Sequence, residues 1–470
     1  MLKQSSNTHC FMTLGFAMAL CLQPAPLYGQ SANDLNPIVP AIPNASFELK
    51  VQTIRPLKLQ EAIKIGLERS PQLQLSQISI GKAEAVLRQN NAGLFPTASL
   101  SASYTYNQTA QSAVSAALSA QSFGGASGLF QSESVPVTGE VSLNWTVFSS
   151  GLVGSRILAA NESLKATRLD YERTCQDLIN NIITAYYNLQ TADGNVLIGE
   201  ASVRSAEASL KDATAQEKVG VGTRFSVLQA EVQLANARQN FLQYTNQRIV
   251  SQRELARQLN FAVPTDVNAA DPIEKGENWE MSLEDTILKA YRGRVELERY
   301  LAQERSAKAS EASYYASVSP QVSLFFTGQI YDNLVDPVTG IYSGYSIGAK
   351  VQWSAFDGGV ALAQADQAIA DAKSARLNYI DNRNTIRYAV ENAYSTLLTS
   401  TLQISTATSA VVSAEESLRL ARLRFQAGIG TQTDVITADR DLAQSRVNRL
   451  NAIIDYNKSI AALKRATGTL

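Results

Sequence analysis

The sequence contains an internal duplication. Motifs in the first half of the chain recur in the second half at a constant offset of 208 residues. The recurring pairs are Trp145 and Trp353, Ala185-Tyr186 and Ala393-Tyr394, Val219–Thr223 and Ala427–Thr431, and Arg257 and Arg465. Upstream of these pairs the offset is 224, which places one longer loop in the first copy; the pairs there are Leu59 and Leu283, and Pro96 and Pro320. Self-similarity of this kind predicts two related structural units.

Each copy contains two stretches in which apolar and polar residues alternate strictly, as in a strand with one apolar face. They lie at 98–106, 137–147, 322–330 and 345–353. Each has about ten residues, the length of a tilted membrane-spanning strand. Because the rest of the chain has the pattern of helices, no second apolar layer remains to cover a soluble sheet. The loops at the outer ends of the strands are predicted at 108–136 and 332–344.

Four strands cannot close a barrel, and open sheet edges are not tolerated in lipid. Known membrane barrels start at about eight strands. Two chains would supply eight strands and three chains twelve. The alternation therefore predicts an oligomer.

A long stretch without proline follows each Trp-containing strand, at 152–219 and 360–427. As a helix with a rise of about 1.5 Å per residue, each would span about 100 Å. Large apolar residues recur every seven positions from Cys175 and from Val390, and rows of small residues beside them start at Ala185 and Ala393. This heptad spacing predicts a left-handed coiled coil with closely packed helices.

Four shorter helices are predicted at 59–94, 224–260, 283–316 and 432–467. Two of them together nearly equal one long helix in length, so they are predicted to stack end to end beside it. Residues 261–281, which contain Pro264, Pro272 and Gly276, are predicted to link the copies at mid-height.

The composition excludes several classes of function. The 41 Lys+Arg and 42 Asp+Glu residues nearly balance, which argues against a nucleic-acid partner. Residues 1–30 resemble an export signal with an apolar run from Cys10 to Leu22, too short to span a membrane. Removal of this signal would also remove His9 and leave Cys175 as the single thiol. Histidine-dependent catalysis and histidine zinc sites are then excluded, so we predict no enzymatic activity, metal or cofactor.

Several motifs resemble the TolC-like outer-membrane efflux protein family, also called outer-membrane factors. The similarity includes the opening Leu57–Ile63, the Phe95-Pro96 junction before a strand, and the terminus Leu463–Leu470. The most specific motif is Gly-x-x-Thr-x-x-Asp-Val at Gly428–Val435, with a first-copy counterpart at Gly220–Val227. The order of these motifs, together with the duplication, covers nearly the whole chain after the signal.

The resemblance implies a mixed α/β membrane protein: a homotrimer with a transmembrane β-barrel, closed by four strands per chain, and a long α-helical coiled-coil barrel. It implies passive export from the periplasm across the outer membrane, with a periplasmic adaptor protein and an inner-membrane ABC or RND transporter as partners. The domain layout is then a signal peptide at 1–30, a periplasmic extension at 31–56, a first repeat at 57–260, an equatorial linker at 261–281 and a second repeat at 282–470.

The two Gly-x-Gly-Thr turns lie at the ends of the long helices that are farthest from the strands. Glycine permits the left-handed conformation that ends a helix, and threonine caps the next one. The resemblance adds adaptor docking at these tips. The predicted docking residues are Gly220, Gly222, Thr223, Gly428, Gly430 and Thr431.

Asp434 matches a family position where carboxylates ring the periplasmic entrance, although a solvated carboxylate in a first helical turn is the simpler interpretation. The family's second ring carboxylate is here Thr437. The family's tyrosine–aspartate latch is replaced by Phe425 and Ser226. Arg224 and Arg424 are the candidates to take over the role of that latch.

Three alternatives to a drug or metabolite efflux channel remain open from the residues alone. Type I protein secretion would use the same architecture with a different cargo. A trimeric coiled-coil surface stalk or adhesin is a structural alternative, but adhesins usually place their strands at one chain end. A periplasmic enzyme lacks an acid–base cluster in this sequence.

Overall fold

We describe the fold from a computed structural model, which covers residues 53–108, residue 114, residues 133–261, residues 265–334 and residues 340–470. The predicted signal peptide, most of the predicted periplasmic extension and most of the first predicted outer loop lie outside these residues, as do residues 335–339 of the second loop. The strands are β1 (Thr53–Leu57), β2 (Thr97–Tyr104), β3 (Asn107–Gln108), β4 (Glu133–Ser134), β5 (Pro136–Phe148), β6 (Thr265–Ala269), β7 (Gln321–Asn333) and β8 (Tyr342–Gln352). The helices are α1 (Leu59–Arg69), α2 (Pro71–Ala92), α3 (Leu152–Lys218), α4 (Arg224–Leu259), α5 (Leu283–Gly293), α6 (Val295–Ser317), α7 (Val360–Gln426) and α8 (Gln432–Ala466).

The four stretches of alternation correspond to β2, β5, β7 and β8, although β2 ends two residues and β8 one residue before the predicted end. These strands form one antiparallel sheet in that order. Ala98, Leu143, Phe326 and Ile347 pair in one row across it. The predicted apolar faces therefore lie on the same side of the sheet. Within the described residues no element covers this face, and the side chain of Ile347 is 77% exposed.

The opposite face of the sheet carries hydroxyl pairs. The Oγ atoms of Ser99 and Ser142 are 2.6 Å apart, and Ser103 Oγ lies 2.7 Å from Thr138 Oγ1. Cross-strand pairs of this kind stabilise the register of an antiparallel sheet. Strand β2 at one end of the sheet and β8 at the other have no further partner in this sheet.

The two long helices are confirmed. Helices α3 and α7 have 67 residues each, and both begin directly after a glycine with φ of 88°, Gly151 and Gly359. The predicted rows of small residues are buried throughout: Ala185, Ala192, Gly199, Ala206, Ala393, Ser400, Ala407 and Ala414. Close packing explains why they are small, since a Cβ on the nearby Gly194 would lie 2.6 Å from Leu450 Cδ2 of α8.

The prediction of one continuous helix at 59–94 was wrong, because the structure divides this stretch at Ser70. The physical reason is Pro71, which disfavours helical backbone at the preceding residue; Ser70 is extended, with ψ of 117°. The stretch at 283–316 is divided in the same way at Arg294, without a proline. There Gly293 lies against the end of α8, where a Cβ would come within 2.3 Å of the Thr467 carbonyl oxygen.

The shorter helices nevertheless run beside the long ones as predicted. Helices α1, α2 and α4 pack along α3, and α5, α6 and α8 pack along α7. In addition, α3 packs against α6 and α8, so the first copy's long helix is covered by second-copy helices.

The linker predicted at 261–281 includes a short strand that the sequence did not predict. It contains β6, which pairs in parallel with β1. Tyr186 of α3 anchors the segment, because its hydroxyl donates to Asp271 Oδ2 at 2.8 Å, and the same oxygen accepts from the Leu59 amide at 2.8 Å. The sequence did not predict this pair, since each strand has only five residues and the partners are far apart in the chain.

A buried charge network fixes the end of α8. Arg465 Nη2 donates to Asp177 Oδ1 of α3 and to Glu296 Oε1 of α6, both at 2.7 Å. The backbone carbonyl oxygen of Arg465 accepts a hydrogen bond from Arg294. Burial raises the pKa of Glu296, but Arg294 and Arg465 outweigh this effect and hold that pKa below its ordinary value. The counterpart Arg257 in the first copy is instead exposed and pairs with Glu254 of its own helix.

Candidate functional site at the hairpin tips

The first tip joins α3 to α4 through two glycines. Gly220 has φ of 77°, and the amides of Val221 and Gly222 both donate to the Gln216 carbonyl, at 3.1 and 2.9 Å. Thr223 then caps α4 by accepting from the Ser226 amide at 3.2 Å. The predicted turn chemistry is thus present.

The second tip joins α7 to α8 and has the same geometry. Gly428 has φ of 76°, and the amides of Ile429 and Gly430 both donate to the Arg424 carbonyl at 3.0 Å. Thr431 caps α8 by accepting from the Asp434 amide at 3.1 Å.

The second glycine of each tip is required because a side chain would not fit there, and not because the backbone has a positive φ. A Cβ on Gly222 would lie 2.9 Å from the Gln216 Cβ, and a Cβ on Gly430 would lie 3.0 Å from the Arg424 Cβ. The turn therefore folds back closely onto the helix that precedes it. Any larger residue at either position would displace the tip.

The tips present apolar side chains to solvent. Val221 is 74% exposed and Ile429 is 72% exposed at corresponding positions of the two turns. Phe225 in the first turn of α4 is also largely exposed. Large apolar side chains left exposed at the same turn of both copies are consistent with an interaction surface.

Asp434 takes part in a capping box with Thr431. Its Oδ2 accepts from the Thr431 amide at 2.9 Å, while the Thr431 hydroxyl accepts from the Asp434 amide. The hydrogen bonds with Thr431, and the positive charge of Arg424, hold the pKa of Asp434 below its ordinary value. The carboxylate is exposed, and these interactions favour its ionised form.

The two candidate arginines have different surroundings in the chain. Arg224 lies 3.8 Å from Glu217, and Arg424 is exposed on α7. The residues at the family's latch positions also differ in their surroundings. Phe425 is buried and its carbonyl accepts a hydrogen bond from Gln216, whereas the Ser226 amide donates to the Thr223 cap of α4.

A buried carboxylate near the tips was missed in the sequence. Asp439 of α8 is 8% exposed and accepts a hydrogen bond from Ser205 of α3, which also accepts one from Arg422 of α7. Burial raises the pKa of Asp439, while Ser205, Arg422 and Arg446 act in the opposite direction. The available signal was an acidic residue on the apolar stripe of α8, beside the buried Ala438.

The described residues contain neither a membrane-crossing helix nor a metal-binding cluster. In these residues, no helix has the length and hydropathy needed to cross a membrane. Across the same part of the chain, no three His, Cys, Asp or Glu side chains lie close enough together to hold a metal ion.

Paired hairpins of this length, joined to an antiparallel sheet with an uncovered apolar face, define the class of outer-membrane channel proteins. The chain belongs to the outer membrane efflux protein family, whose model matches residues 62–260 and 289–469. It is therefore an efflux channel of the outer membrane that extends into the periplasm, and the family resemblance read from the motifs is confirmed.

Individual relatives agree with this assignment. "Toxin and drug export protein A" from Aggregatibacter actinomycetemcomitans is 22% identical over 323 residues, which cover 67% of this chain and 69% of the relative. The crystal structure of CusC superposes with a TM-score of 0.75 at 16% identity, over 92% of this chain and 97% of CusC. The outer membrane protein VceC from Vibrio cholerae superposes with a TM-score of 0.72 at 18% identity, over 87% and 96% of the two chains.

Proposed function

We propose that three copies of the chain form a closed duct. The twelve strands would make a transmembrane β-barrel, and the helices would make an α-barrel below it. In this proposal the repeats span 57–260 and 282–470, and 261–281 links them. The observation that carries it is the open sheet, because an uncovered apolar face with two unpaired edges can exist in lipid only when the edges close.

The duplication specifies how the edges would meet. Within the chain, β5 of the first copy pairs with β7 of the second, with Ser142 opposite Thr327. The corresponding positions in the sequence repeat are Lys350 in β8 and Ser103 in β2. We therefore expect Lys350 of one chain opposite Ser103 of the next.

The helices support the same arrangement. On α6, Ala302 is fully buried, and Arg299 donates to Asp170 of α3 at 3.0 Å. The corresponding positions on α2 are Ile78 and Leu75, which are 63% and 65% exposed in the single chain. A neighbouring α7, the repeat partner of α3, would cover these apolar side chains.

The proposed activity is passive and not enzymatic. The channel would be opened by a periplasmic adaptor protein, and an ABC or RND transporter in the inner membrane would supply the energy. The name of the Aggregatibacter relative mentions the export of both toxins and drugs. We propose the same two cargo classes, proteins and small molecules, for this chain.

The exposed tips are proposed as the adaptor-docking surface. We expect Gly222→Trp combined with Gly430→Trp to abolish export and adaptor crosslinking, because each indole would displace a turn and cover the apolar side chains. Val221→Ser combined with Ile429→Ser should have the same effect while leaving both turns intact. The measurement is crosslinking in cells together with drug sensitivity of a host that lacks its own copy of the gene.

Ile54→Ser is the matched control for this test, since Ile54 is 65% exposed on β1 and far in the chain from both tips. If both tip variants keep wild-type export and crosslinking, adaptor docking at the tips is wrong.

Asp434 is proposed as part of a carboxylate ring at the periplasmic entrance. Three carboxylates around one axis would select cations and narrow the entrance. We expect Asp434→Ala and Asp434→Asn both to raise the resting conductance severalfold in planar bilayers. The asparagine variant separates the role of Asp434 in the carboxylate ring from its role in the helix cap. It keeps an oxygen acceptor for the Thr431 amide and loses only the negative charge.

Ser226→Ala, at the corresponding position of the first copy, is the control and should leave conductance unchanged. An increase with alanine but not with asparagine would assign Asp434 to helix capping alone. We propose Arg224 and Arg424 as the cations that face this entrance.

A further inference from the structure

Three aromatic side chains interrupt the polar face of the sheet formed by β2, β5, β7 and β8. Phe325 of β7 pairs with Asn144 of β5. Tyr331 of β7 pairs with Thr138 of β5 and with Tyr342 of β8. Because directly paired residues point to the same side of a sheet, all three rings lie on the face that carries the hydroxyl pairs. We call Phe325, Tyr331 and Tyr342 the aromatic stripe.

The rings of the aromatic stripe are accessible from the polar face. The two tyrosines are 44% and 54% exposed. Phe325 is half-buried because its ring lies over its β8 partner Gly348, where a Cβ would come within 2.9 Å of Phe325 Cζ. The neighbours of Phe325 on the same face of β7 are the short residues Ser323 and Thr327. The phenyl ring thus lies on bare backbone between shorter side chains.

The first copy of the repeat has no aromatic stripe. Its corresponding residues are Ser101 for Phe325, Asn107 for Tyr331, Ser134 for Tyr342 and Glu140 for Gly348. The structure pairs them in the same way, with Asn107 opposite Ser134 and Ser101 opposite Glu140. The fold therefore does not require aromatic residues at these positions. Residues that depart from the local pattern without being required by the fold are candidates for a function.

Charge on the polar face does not favour solutes of one sign. Within the four strands as the structure describes them, this face carries one carboxylate, Glu140, and one ammonium group, Lys350. Its other polar side chains are neutral. The aromatic stripe is therefore the feature of this face that can select one class of solute.

We propose that the aromatic stripe binds planar aromatic groups of small-molecule cargo in the membrane-spanning part of the duct. This inference rests on the trimeric channel proposed above, in which the polar face lines the lumen. Aromatic rings attract one another in offset-stacked geometry, and lumen-facing residues of a membrane barrel tune its selectivity. Phe325 and Tyr331 are six residues apart, about 20 Å along the strand, so a cargo molecule contacts them in succession. Three such stripes alternate with three polar ones around the trimer.

Two neighbouring phenylalanines provide a matched test, because Phe325 and Phe326 point to opposite faces of the sheet. The probe is proflavine, a planar aromatic dye, and its fluorescence anisotropy is titrated with the purified full-length channel in detergent, against empty micelles. Phe325→Leu should weaken dye binding about fivefold through loss of one stacked ring, while leucine still covers Gly348. Phe326→Leu, on the lipid-facing side, should leave binding unchanged.

Two further variants separate the ring from its surroundings. Phe325→Ser combined with Tyr331→Asn and Tyr342→Ser gives the second copy the residues of the first, and should abolish saturable binding. Glu140→Gln removes the only carboxylate of the face and should change the affinity less than Phe325→Leu does. The inference is overturned if Phe325→Leu and the triple variant both bind like the wild type. Equal losses in Phe325→Leu and Phe326→Leu, or a larger loss in Glu140→Gln, would also overturn it.

Failure of the proposed duct is distinguishable from failure of this inference. Ser103→Cys with Lys350→Cys, in a background with Cys175→Ser, reports the closure of the barrel through disulfides between chains. If these disulfides form in every variant while dye affinity does not change, the duct stands and the aromatic stripe is not a binding surface. If they do not form even with the aromatic stripe intact, the polar face lines no closed lumen and both proposals are wrong.

Discussion

Oxidation of a variant with Ser103→Cys, Lys350→Cys and Cys175→Ser is expected to convert the chain almost completely into a covalent trimer. The expectation follows from the pairing of Ser142 with Thr327, whose repeat counterparts these two positions are. Directly opposed residues in an antiparallel pair have Cβ atoms about 5 Å apart, close to the distance that a disulfide needs. Non-reducing gel electrophoresis in detergent measures the result.

The control variant moves one cysteine by two residues, to Ser101→Cys with Lys350→Cys. This pair stays on the same face of the sheet but is displaced by about 7 Å along the strand. It should form few crosslinks. Equal crosslinking of both pairs would show that β8 and β2 do not meet in the register that the duplication specifies.

Arg465→Ala is expected to destabilise the chain by about 3–5 kcal/mol, the cost of breaking a buried ion pair by removing one partner. Glu296, whose side chain is 5% exposed, would lose one of its two arginine partners. The midpoint of guanidinium unfolding, followed by the helical circular dichroism signal, measures the effect. Glu296→Gln in the same background should recover part of it, since no buried charge then remains at that position.

Arg257→Ala is the matched control, because Arg257 occupies the corresponding position of the first copy. Its ion pair with Glu254 is exposed, and such pairs contribute about 0–1 kcal/mol. Similar losses in the two variants would contradict the structural role of the Arg465 network.

The effect of Arg465→Ala should also depend on pH. The pKa of Glu296 is lower in the folded chain than its ordinary value of 4.5, so its stabilising charge is fully present above that value. As the pH falls through the lowered pKa, Glu296 is protonated and the contribution is lost. The difference in midpoint between wild type and Arg465→Ala should therefore shrink in acid.

The sequence was sufficient to predict a strand, helix or turn wherever a local residue pattern determines it. Alternation placed the strands of the sheet, and the heptad rows placed α3 and α7, because burial of one face requires those periods. The tips could also be predicted, since a glycine with positive φ followed by a threonine cap is a local solution for reversing a helix.

The sequence was insufficient where an element depends on residues far along the chain. The break at Ser70 is encoded locally by the proline that follows it, but the break at Arg294 depends on Gly293 lying against Thr467. The pairing of β1 with β6 likewise joins segments about 200 residues apart, and each strand is too short for its pattern to identify it.

The sequence by itself determined the repeated unit, the lengths of its helices, the alternating strands and the reversing tips, because each is a property of neighbouring residues. Only the tertiary structure decided which charges are buried. Arg465 and Arg257 occupy the same place in the repeat, as do Asp439 and Glu231, yet one member of each pair is enclosed and the other is exposed. The reason is that the second copy's α8 packs against α3 of the first copy, whereas the first copy's α4 leaves the corresponding face open to solvent.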